Sequence, residues 1–316
     1  MGMEKFFSAE EWLGRYPSGS RPAAVAVGNF DGVHLGHQQI LRRVVETARA
    51  RHLLAAVLTF YPHPTKVLRP ADASPLLMTL DQRLAAIAEI GLDAAFVIHF
   101  DAAFAAISPE NFVSRYVVNT TSAHSVAVGA NFRFGHRQSG DVNTLANLGR
   151  RLGFDVNSIA PVVVDGAVVS STAIRKYVRE GQVEAAAHML GRPYALEGEI
   201  CPGTGMGRKL IVPTLNLTTQ QELLPKLGVY ATEVALNARK FNAATNVGMR
   251  PTFDGTHVTI ESYLLDFSEN VASGPMTIRF LARLRDELKF PTPEALREQI
   301  LADIEKVKKY FQTART

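Results

Sequence analysis

The sequence is poor in the features that mark secreted, metal-binding and membrane-spanning proteins. It has one cysteine, Cys201, in 316 residues, which excludes intramolecular disulfides and a zinc site built on cysteines. No apolar run approaches the ~20 residues of a membrane span. The start, MGMEKFFSAEEW, lacks the basic-then-apolar layout of a signal peptide. We therefore expect a cytoplasmic protein.

An excess of one charge is also missing. The net charge is +4, without a long Lys/Arg run. This mild basicity suits polyphosphate substrates and is weaker than the basic stripe of a nucleic-acid binder. We expect small-molecule partners, with neither nucleic acid nor membrane. The oligomeric state stays open, and a weak or transient homo-oligomer is compatible with the sequence.

The first half of the chain has the pattern of an α/β domain. Strands are predicted at five apolar segments, AAVAV, LLAAVLTF, AAFVIHF, SVAVG and NSIAPVVV. Helices between them begin with capping residues, such as Thr79 with Gln82 and Ser108 before Pro109. Continuous apolar strands joined by helices indicate a parallel, Rossmann-like sheet covered on both faces.

The pattern changes near residue 190 to a period of two, which indicates antiparallel strands. These are predicted at GVYATEVAL, FNAATNVG, VTIESYLLDF and MTIRFLARL. The helix TPEALREQILADIEKVKKYF, with Thr292 as N-cap, follows them. Because 316 residues exceed what one core usually serves, we predict domains at 1–186 and 187–316, the second a small β-barrel with a C-terminal helix.

The segment GNFDGVHLGH, at 28–37, lies between a predicted strand and a predicted helix. Such a junction directs main-chain N–H groups and a helix dipole at an anion. Gly28 and Gly32 allow a tight turn, and His34 and His37 can donate hydrogen bonds to a phosphoryl oxygen. The alternative is one capping histidine and one surface histidine. The strand before the segment and the helix after it favour a phosphate site.

The segment VSSTAIRK places hydroxyls at a predicted helix start, with an arginine one turn on. Ser171, Thr172 and Arg175 could form a second phosphate grip. Taken alone, the hydroxyls are better explained as N-caps, and it is their pairing with the His-x-Gly-His segment that favours a phosphate grip.

The second domain holds three further candidates. Thr214 and Asn216 are two residues apart, so on a strand their oxygens face one side and suit Mg²⁺ bound to substrate phosphates. Glu261 lies in an otherwise apolar strand, either as a general base or at a solvent-facing position. The loop CPGTGMGRK is no Walker A motif and could equally be a flexible hairpin.

Four segments of the first domain, GNFDGVHLGH, TFYPHPTKVL, VGANFRFGHRQSGD and VSSTAIR, resemble the adenylyltransferase module of prokaryotic FAD synthetases. The resemblance implies an ATP site formed by Gly28, Asn29, Phe30, Gly32, His34 and His37, with Ser171, Thr172 and Arg175 on the phosphates. It also implies a flavin mononucleotide site near Phe60, Pro62, His63, Pro64 and Asn131.

The segments GTGMGRKLIVPTLNL, NVGMRPTF, IESYLLDF and LRDELKF resemble the riboflavin kinase module. By that resemblance Thr214 and Asn216 hold Mg-ATP, Glu261 is the base, and Arg285 and Glu287 border the flavin. The ATP loop would contain Gly203, Gly205, Gly207 and Arg208. Thr204, Met206 and Ile211-Val212 depart from the family pattern, which bears on the ATP affinity and rate of the kinase.

The expected function is a bifunctional enzyme that phosphorylates riboflavin to FMN and adenylylates FMN to FAD, with ATP and Mg²⁺ in each step. One alternative is an adenylyltransferase for another phosphate ester, with an inactive barrel. A second is a flavin-binding regulator without catalysis, which could bind RNA. The histidine pair and the acidic residue in the strand argue against the second alternative, because binding alone needs no general base.

Overall fold

A computed structural model describes residues 2–201, 214–252, 255–269 and 271–313. The chain forms two compact units, Met1–Ser170 and Ser171–Thr316. The predicted boundary at 186/187 falls inside a helix of the second unit and, as a functional boundary, stays a prediction. None of the described helices is long and apolar enough to cross a membrane.

The first unit contains a six-stranded sheet in the order β1-β4-β3-β2-β5-β6, with every neighbouring pair parallel. Its strands are Glu4–Phe6, Ala23–Val27, Leu54–Tyr61, Ala94–His99, Ala123–Gly129 and Asp155–Ile159. A two-stranded hairpin, β7 and β8, follows at Val163–Val164 and Ala167–Val168. The predicted parallel sheet is confirmed.

The α-helices described in this unit are numbered α1 to α7. They span Ala9–Arg15, Leu35–Arg51, Pro64–Leu68, Leu80–Ala88, Ala102–Ala105, Pro109–Phe112 and Val142–Leu152. A π-helix, Val113–Thr120, continues from the last residue of α6. The predicted caps are confirmed. Thr79 and Gln82 form a reciprocal capping box, and the Ser108 side chain caps α6 with Pro109 at its first position.

Successive side chains of β2 point to opposite faces of the sheet and pack in different apolar clusters. Ala23, Val25 and Val27 belong to one apolar cluster, whereas Ala24 and Ala26 belong to another. All five are buried, so the sheet is covered on both faces, which explains why its strands lack a polar face.

The prediction was wrong about NSIAPVVV, which is not one strand. β6 ends at Ile159, and the following Val163–Val164 pairs only with β8. Pro161 lies in the gap, and proline has no N–H to donate to a sheet ladder.

The second unit begins with helices α8 and α9, Ser171–Glu180 and Val183–Leu190, and continues as a closed barrel in the order β10-β13-β12-β11-β14-β9. Its neighbouring strands are antiparallel. They are Tyr194–Cys201, Leu215–Thr218, Gly228–Leu236, Arg239–Thr252, Gly255–Leu264 and Pro275–Arg285, and α10 is Pro293–Thr313. The predicted barrel and C-terminal helix are confirmed, and Thr292 caps α10 as expected.

The barrel interior contains a row of three fully buried hydroxyls. Thr232 donates to the Ala243 carbonyl oxygen at 3.2 Å, and its Oγ1 lies 2.7 Å from Oγ1 of Thr245. Thr245 Oγ1 lies 2.8 Å from Oγ of Ser262. Since a hydroxyl has one proton, the row runs in one direction, with Ser262 donating to Thr245 and Thr245 to Thr232.

Candidate active sites

The strand order of the first unit reverses its direction beside β2. From β2 the chain continues to β3 and β4 on one side, whereas β5 and β6 lie on the other. Such a switch point, beyond the carboxyl ends of parallel strands, is where open α/β sheets bind ligands. The loop 28–34 leaves β2 at this edge, and Asn131 follows β5. Asn131 Oδ1 would lie 3.3 Å from a Cβ added at Gly129, the last residue of β5.

His34 is the N-cap of α2. Its Nδ1 accepts a hydrogen bond from the main-chain N–H of His37 at 3.3 Å. A neutral imidazole that accepts at Nδ1 carries its proton on Nε2. His34 is therefore a capping histidine, as the alternative interpretation of this segment proposed. The cap also leaves Nε2 as the nitrogen that can donate.

His37 stacks on His34, with ring centroids 3.6 Å apart. Burial, followed by the charges of His34 and Arg83, lowers the pKa of His37 well below its ordinary value. Its Nδ1 is buried and has no hydrogen-bond partner among the residues that the structure describes. The ring is thus neutral near pH 7, and a neutral ring can donate only one hydrogen bond.

The loop between β2 and α2 has an unusual backbone. Phe30, Gly32 and Val33 have φ of 55°, 86° and 39°, and for Phe30 and Val33 this left-handed region is strained. The Phe30 ring is 1% exposed, and a Cβ at Gly28 would lie 3.1 Å from it. The Phe30 ring therefore packs against the backbone of the loop, and it meets the His37 ring in a T-shaped arrangement with centroids 5.2 Å apart. Its predicted place in the ATP site stays a prediction.

Arg83 was missed by the sequence analysis. It lies on α4, is 5% exposed, and donates to the main-chain oxygens of Asn29 at 2.6 Å and Phe60 at 3.0 Å. Asn29 O also accepts from Thr59 Oγ1 at 3.3 Å. Burial lowers the pKa of Arg83, and Asp31 and Tyr61 oppose this effect. An arginine in a protein nevertheless stays protonated, so a fixed positive charge lies behind the loop.

The predicted flavin residues follow β3. The Phe60 ring is 9% exposed and belongs to an aromatic cluster with Phe100, Phe104 and Phe112. His63 is the N-cap of α3 and accepts from Thr65 N at 3.3 Å, with Pro62 before it and Pro64 at the first helical turn. These side chains end a strand at the same sheet edge as the histidines, and their contact with flavin stays a prediction.

The second predicted phosphate grip lies at the start of α8. This helix begins at Ser171, so Ser171 and Thr172 are in its first turn and Arg175 is one turn on. These residues belong to the second compact unit. Their role on phosphates stays a prediction.

Three half-buried polar residues line up across the outer face of the barrel. Asn216 of β10 pairs with Glu261 of β13, and Glu261 pairs with Asn246 of β12. Their neighbours Ser262 and Thr245 point to the interior, where both are fully buried. The predicted residues Asn216 and Glu261 are thus adjacent. Asn246 was missed because only the strand register places it beside them.

A carboxylate lies over a glycine at the end of this row. Glu287 Oε1 accepts from Met249 N at 2.9 Å. A Cβ at Gly248 would lie 2.7 Å from that oxygen and 2.8 Å from Asn246 Nδ2. Because Gly248 has no side chain, both groups can occupy this space. The Glu287 carboxylate lies close to Asn246, which itself pairs with Glu261.

Arg285 makes a buried ion pair with α10. It donates from Nε and Nη2 to Asp303 Oδ2, at 2.9 and 2.6 Å. The two side chains are 16% and 5% exposed. Arg285 also donates to the Asp286 carbonyl oxygen at 2.8 Å. In this structure it fastens the end of β14 to α10, and its predicted contact with flavin stays a prediction.

Gly203, Gly205, Gly207 and Arg208 lie outside the described residues, as do Thr204, Met206 and Ile211-Val212. Thr214 is described and is half-buried immediately before β10.

Comparison with known proteins assigns both halves of the chain. A family model described as FAD synthetase matches residues 17–173, and one described as Riboflavin kinase matches residues 190–311. A bifunctional riboflavin kinase/FMN adenylyltransferase from Haemophilus influenzae is 33% identical over 291 residues, which cover 92% of this chain and 94% of that protein. The chain belongs to this bifunctional family.

Other similar proteins span its whole length. The bifunctional riboflavin kinase/FMN adenylyltransferase of Bacillus subtilis is 32% identical over 299 residues, 93% of this chain and 94% of that protein. A crystal structure from Streptococcus pneumoniae, whose protein is named a macrolide-efflux protein, has a TM-score of 0.87 at 26% identity, covering 98% of this chain and 99% of that one. That name belongs to the streptococcal protein, and the likeness shows that the two chains share a fold.

Proposed function

We propose that the two units carry out consecutive steps of flavin cofactor synthesis. The second unit transfers the γ-phosphoryl group of ATP to the ribityl hydroxyl of riboflavin, giving FMN and ADP. The first unit joins FMN to the AMP part of ATP, giving FAD and pyrophosphate. The observation that carries this assignment is one family match over each half of the chain, each containing a polar site with the expected chemistry.

In the adenylyl transfer, a phosphate oxygen of FMN attacks the α-phosphorus of ATP and pyrophosphate leaves. Charge builds up on the phosphoryl oxygens in the transition state, where preorganised donors are most effective. His34 and His37 fill this role, and they stand at the start of a 17-residue helix, whose dipole also favours an anion. The neutral state of His37 makes it a hydrogen-bond donor and not a counter-ion.

In the phosphoryl transfer, Glu261 accepts the proton of the attacking ribityl hydroxyl while ADP leaves. Asn216 and Asn246 flank it on neighbouring strands. Because the three residues stand on paired strands of a closed barrel, their spacing is set by the sheet, and positioning of this kind supplies much of the catalysis of phosphoryl transfer.

Mg²⁺ is part of the proposal for both steps. In the second unit, Thr214 and Asn216 would hold it through their side-chain oxygens, which are the hard donors that Mg²⁺ prefers, with the remaining positions on water and ATP phosphates. When bound, it would neutralise part of the phosphate charge. We further propose that the enzyme works in the cytoplasm on small molecules, without nucleic acid, and that any homo-oligomer is weak or transient.

The test is to separate the two activities with matched variants. Wild type, Glu261→Gln and the double variant His34→Ala/His37→Ala are incubated with riboflavin, ATP and Mg²⁺, or with FMN in place of riboflavin, and the flavins are separated. Glu261→Gln should lose riboflavin phosphorylation by about 10²–10⁴-fold and still make FAD from FMN. The double alanine variant should accumulate FMN from riboflavin.

Two results would contradict the proposal. Wild-type FMN formation by Glu261→Gln would make Glu261 a solvated strand residue. Normal FAD formation by the double alanine variant would remove the histidines from the reaction. An enzyme that adenylylates another phosphate ester but not FMN would support the first alternative function.

A further inference from the structure

A buried guanidinium joins the ends of two adjacent parallel strands. Arg83 donates from Nη1 to Asn29 O, two residues beyond β2, and from Nη2 to Phe60 O, near the end of β3. The two strands are neighbours, with Val27 opposite Leu58. One planar side chain therefore sets the spacing between the two chain segments that leave the sheet at this edge.

The segment before α4 holds the same loop from another direction. Leu77 N donates to both carboxylate oxygens of Asp31, at 3.1 and 3.2 Å. Asp31 and Leu77 are both buried, and the charge of Asp31 acts favourably on Arg83. The region from Leu77 to Arg83 thus holds the loop after β2 in two ways. The main chain of Leu77 binds the Asp31 carboxylate, and the Arg83 guanidinium binds the main chain of Asn29.

The acceptors of Arg83 are informative. A buried charge is expensive unless hydrogen bonds compensate it, and here two main-chain carbonyl oxygens accept from Nη1 and Nη2, whereas the buried Nε has no partner among the described residues. Hydrogen bonds to carbonyl oxygens fix the backbone, whatever side chains the loops carry. The loop beyond β2 ends at His34 and leads into α2, whose first turn contains His37, and the loop beyond β3 holds His63 between its two prolines.

We propose that Arg83 is a positioning residue of adenylyl transfer, which couples the nucleotide loop to the flavin loop by holding Asn29 and Phe60 together. The inference rests on the proposed function for the assignment of the two loops to their substrates. It predicts that both substrates respond to one change at a residue that touches neither of them.

Arg83 also acts on His37. The groups that face the His37 ring are Phe30 beneath it, His34 stacked on it, and the charge of Arg83 from α4. Removing the guanidinium charge removes one cause of the low pKa of His37. The pKa of His37, followed by NMR titration, should then rise.

The experiment compares Arg83→Met and Arg83→Lys with Arg49→Met. Arg49 is an exposed arginine that pairs with Asp93 at 2.9 Å, so its variant controls for the loss of a guanidinium in the same unit. Rates of FAD formation are measured against FMN and against ATP across pH. Riboflavin phosphorylation and the melting temperature of the same preparations report on the rest of the molecule.

Arg83→Met should lower kcat/KM for FMN and for ATP, each by about 10²-fold, since small misplacements of reacting groups have effects of this size. Arg83→Lys should recover part of the loss, because an ammonium keeps the charge but lacks the planar fork that spans both carbonyls. In Arg83→Lys the pKa of His37 should stay near that of wild type, because the charge is kept. Arg49→Met and riboflavin phosphorylation should stay within about twofold of wild type.

Wild-type kinetics for either substrate in a folded Arg83→Met protein would overturn the coupling. If Arg83→Met does not fold, Arg83→Lys decides: unchanged kcat/KM for both substrates would overturn the inference. The proposed function fails by a different result, which is normal FAD formation by the His34→Ala/His37→Ala protein. The two failures are therefore distinguishable.

Discussion

Gly248 offers a direct test of the outer face of the barrel. In Gly248→Ala the new Cβ would lie 2.7 Å from Glu287 Oε1 and 2.8 Å from Asn246 Nδ2. Non-bonded contacts to carbon are most favourable near ~3.5 Å, so the carboxylate must withdraw by about 0.8 Å. Both atoms are the ends of flexible side chains, and the barrel can keep its backbone.

The stability cost should therefore be small. The hydrogen bond from Met249 N to Glu287 is exposed, and its loss costs about 1 kcal/mol. Replacing glycine by alanine returns roughly 0.4–1 kcal/mol through the unfolded chain. In the proposed kinase site, by contrast, Glu287 is displaced, and kcat/KM for riboflavin should fall by about 10–10²-fold.

The assay is riboflavin phosphorylation at varied riboflavin, with thermal unfolding and FAD formation from FMN on the same protein. Gly14→Ala is the matched control, since a Cβ there meets no atom within 4 Å. The reasoning is refuted if Gly248→Ala is folded and keeps the wild-type kcat and KM for riboflavin. A loss of FAD formation would show that the change is not confined to the barrel.

Three further predictions follow. Thr214→Val and Asn216→Ala should each raise the Mg²⁺ concentration needed for riboflavin phosphorylation, and an unchanged titration would make these residues structural. Burial lowers the pKa of His37 in the folded state. As the pH falls below the ordinary pKa of about 6.5, the unfolded chain therefore binds a proton before the folded protein does. The folded state is fully stable in this respect above that pKa and loses stability below it. Between about pH 7.5 and about pH 5.5, the melting temperature of His37→Gln should therefore fall by less than that of wild type. An equal fall in both proteins would contradict this. Arg285→Met should lower the free energy of unfolding by about 3 kcal/mol, because it leaves Asp303 buried without its main partner, and Arg285→Met/Asp303→Leu should recover most of that in denaturant titrations.

The sequence predicted the regular parts of the fold because they are specified locally. GVYATEVAL coincides with β11, and the capping residues of α4, α6 and α10 lie where their spacing places them. The edge strand β1 was missed, because three residues give no measurable period. Its partner β4 lies some 90 positions away along the chain, at Ala94–Phe96.

The candidate sites were predictable only where one segment carried the chemistry. His34 and His37 lie three residues apart in one segment, so a single motif indicates them. Arg83 is separated from its acceptors by 54 and 23 positions, and in TLDQRLAAI it looks like an ordinary polar residue of an amphipathic helix. Asn246 is likewise visible only through pairing, because its place beside Glu261 depends on the alignment of β12 with β13.

The hydroxyl row inside the barrel has a consequence for the outer face. An all-apolar interior would tolerate a slip of two residues between strands, since the same side chains would still face inward. Here a slip would separate Thr245 from Ser262, and each buried hydroxyl left without a partner costs about 1–3 kcal/mol. Thr245 and Ser262 are the chain neighbours of Asn246 and Glu261. The alignment of the outer residues proposed for phosphoryl transfer is thus maintained by hydrogen bonds between buried hydroxyls inside the barrel.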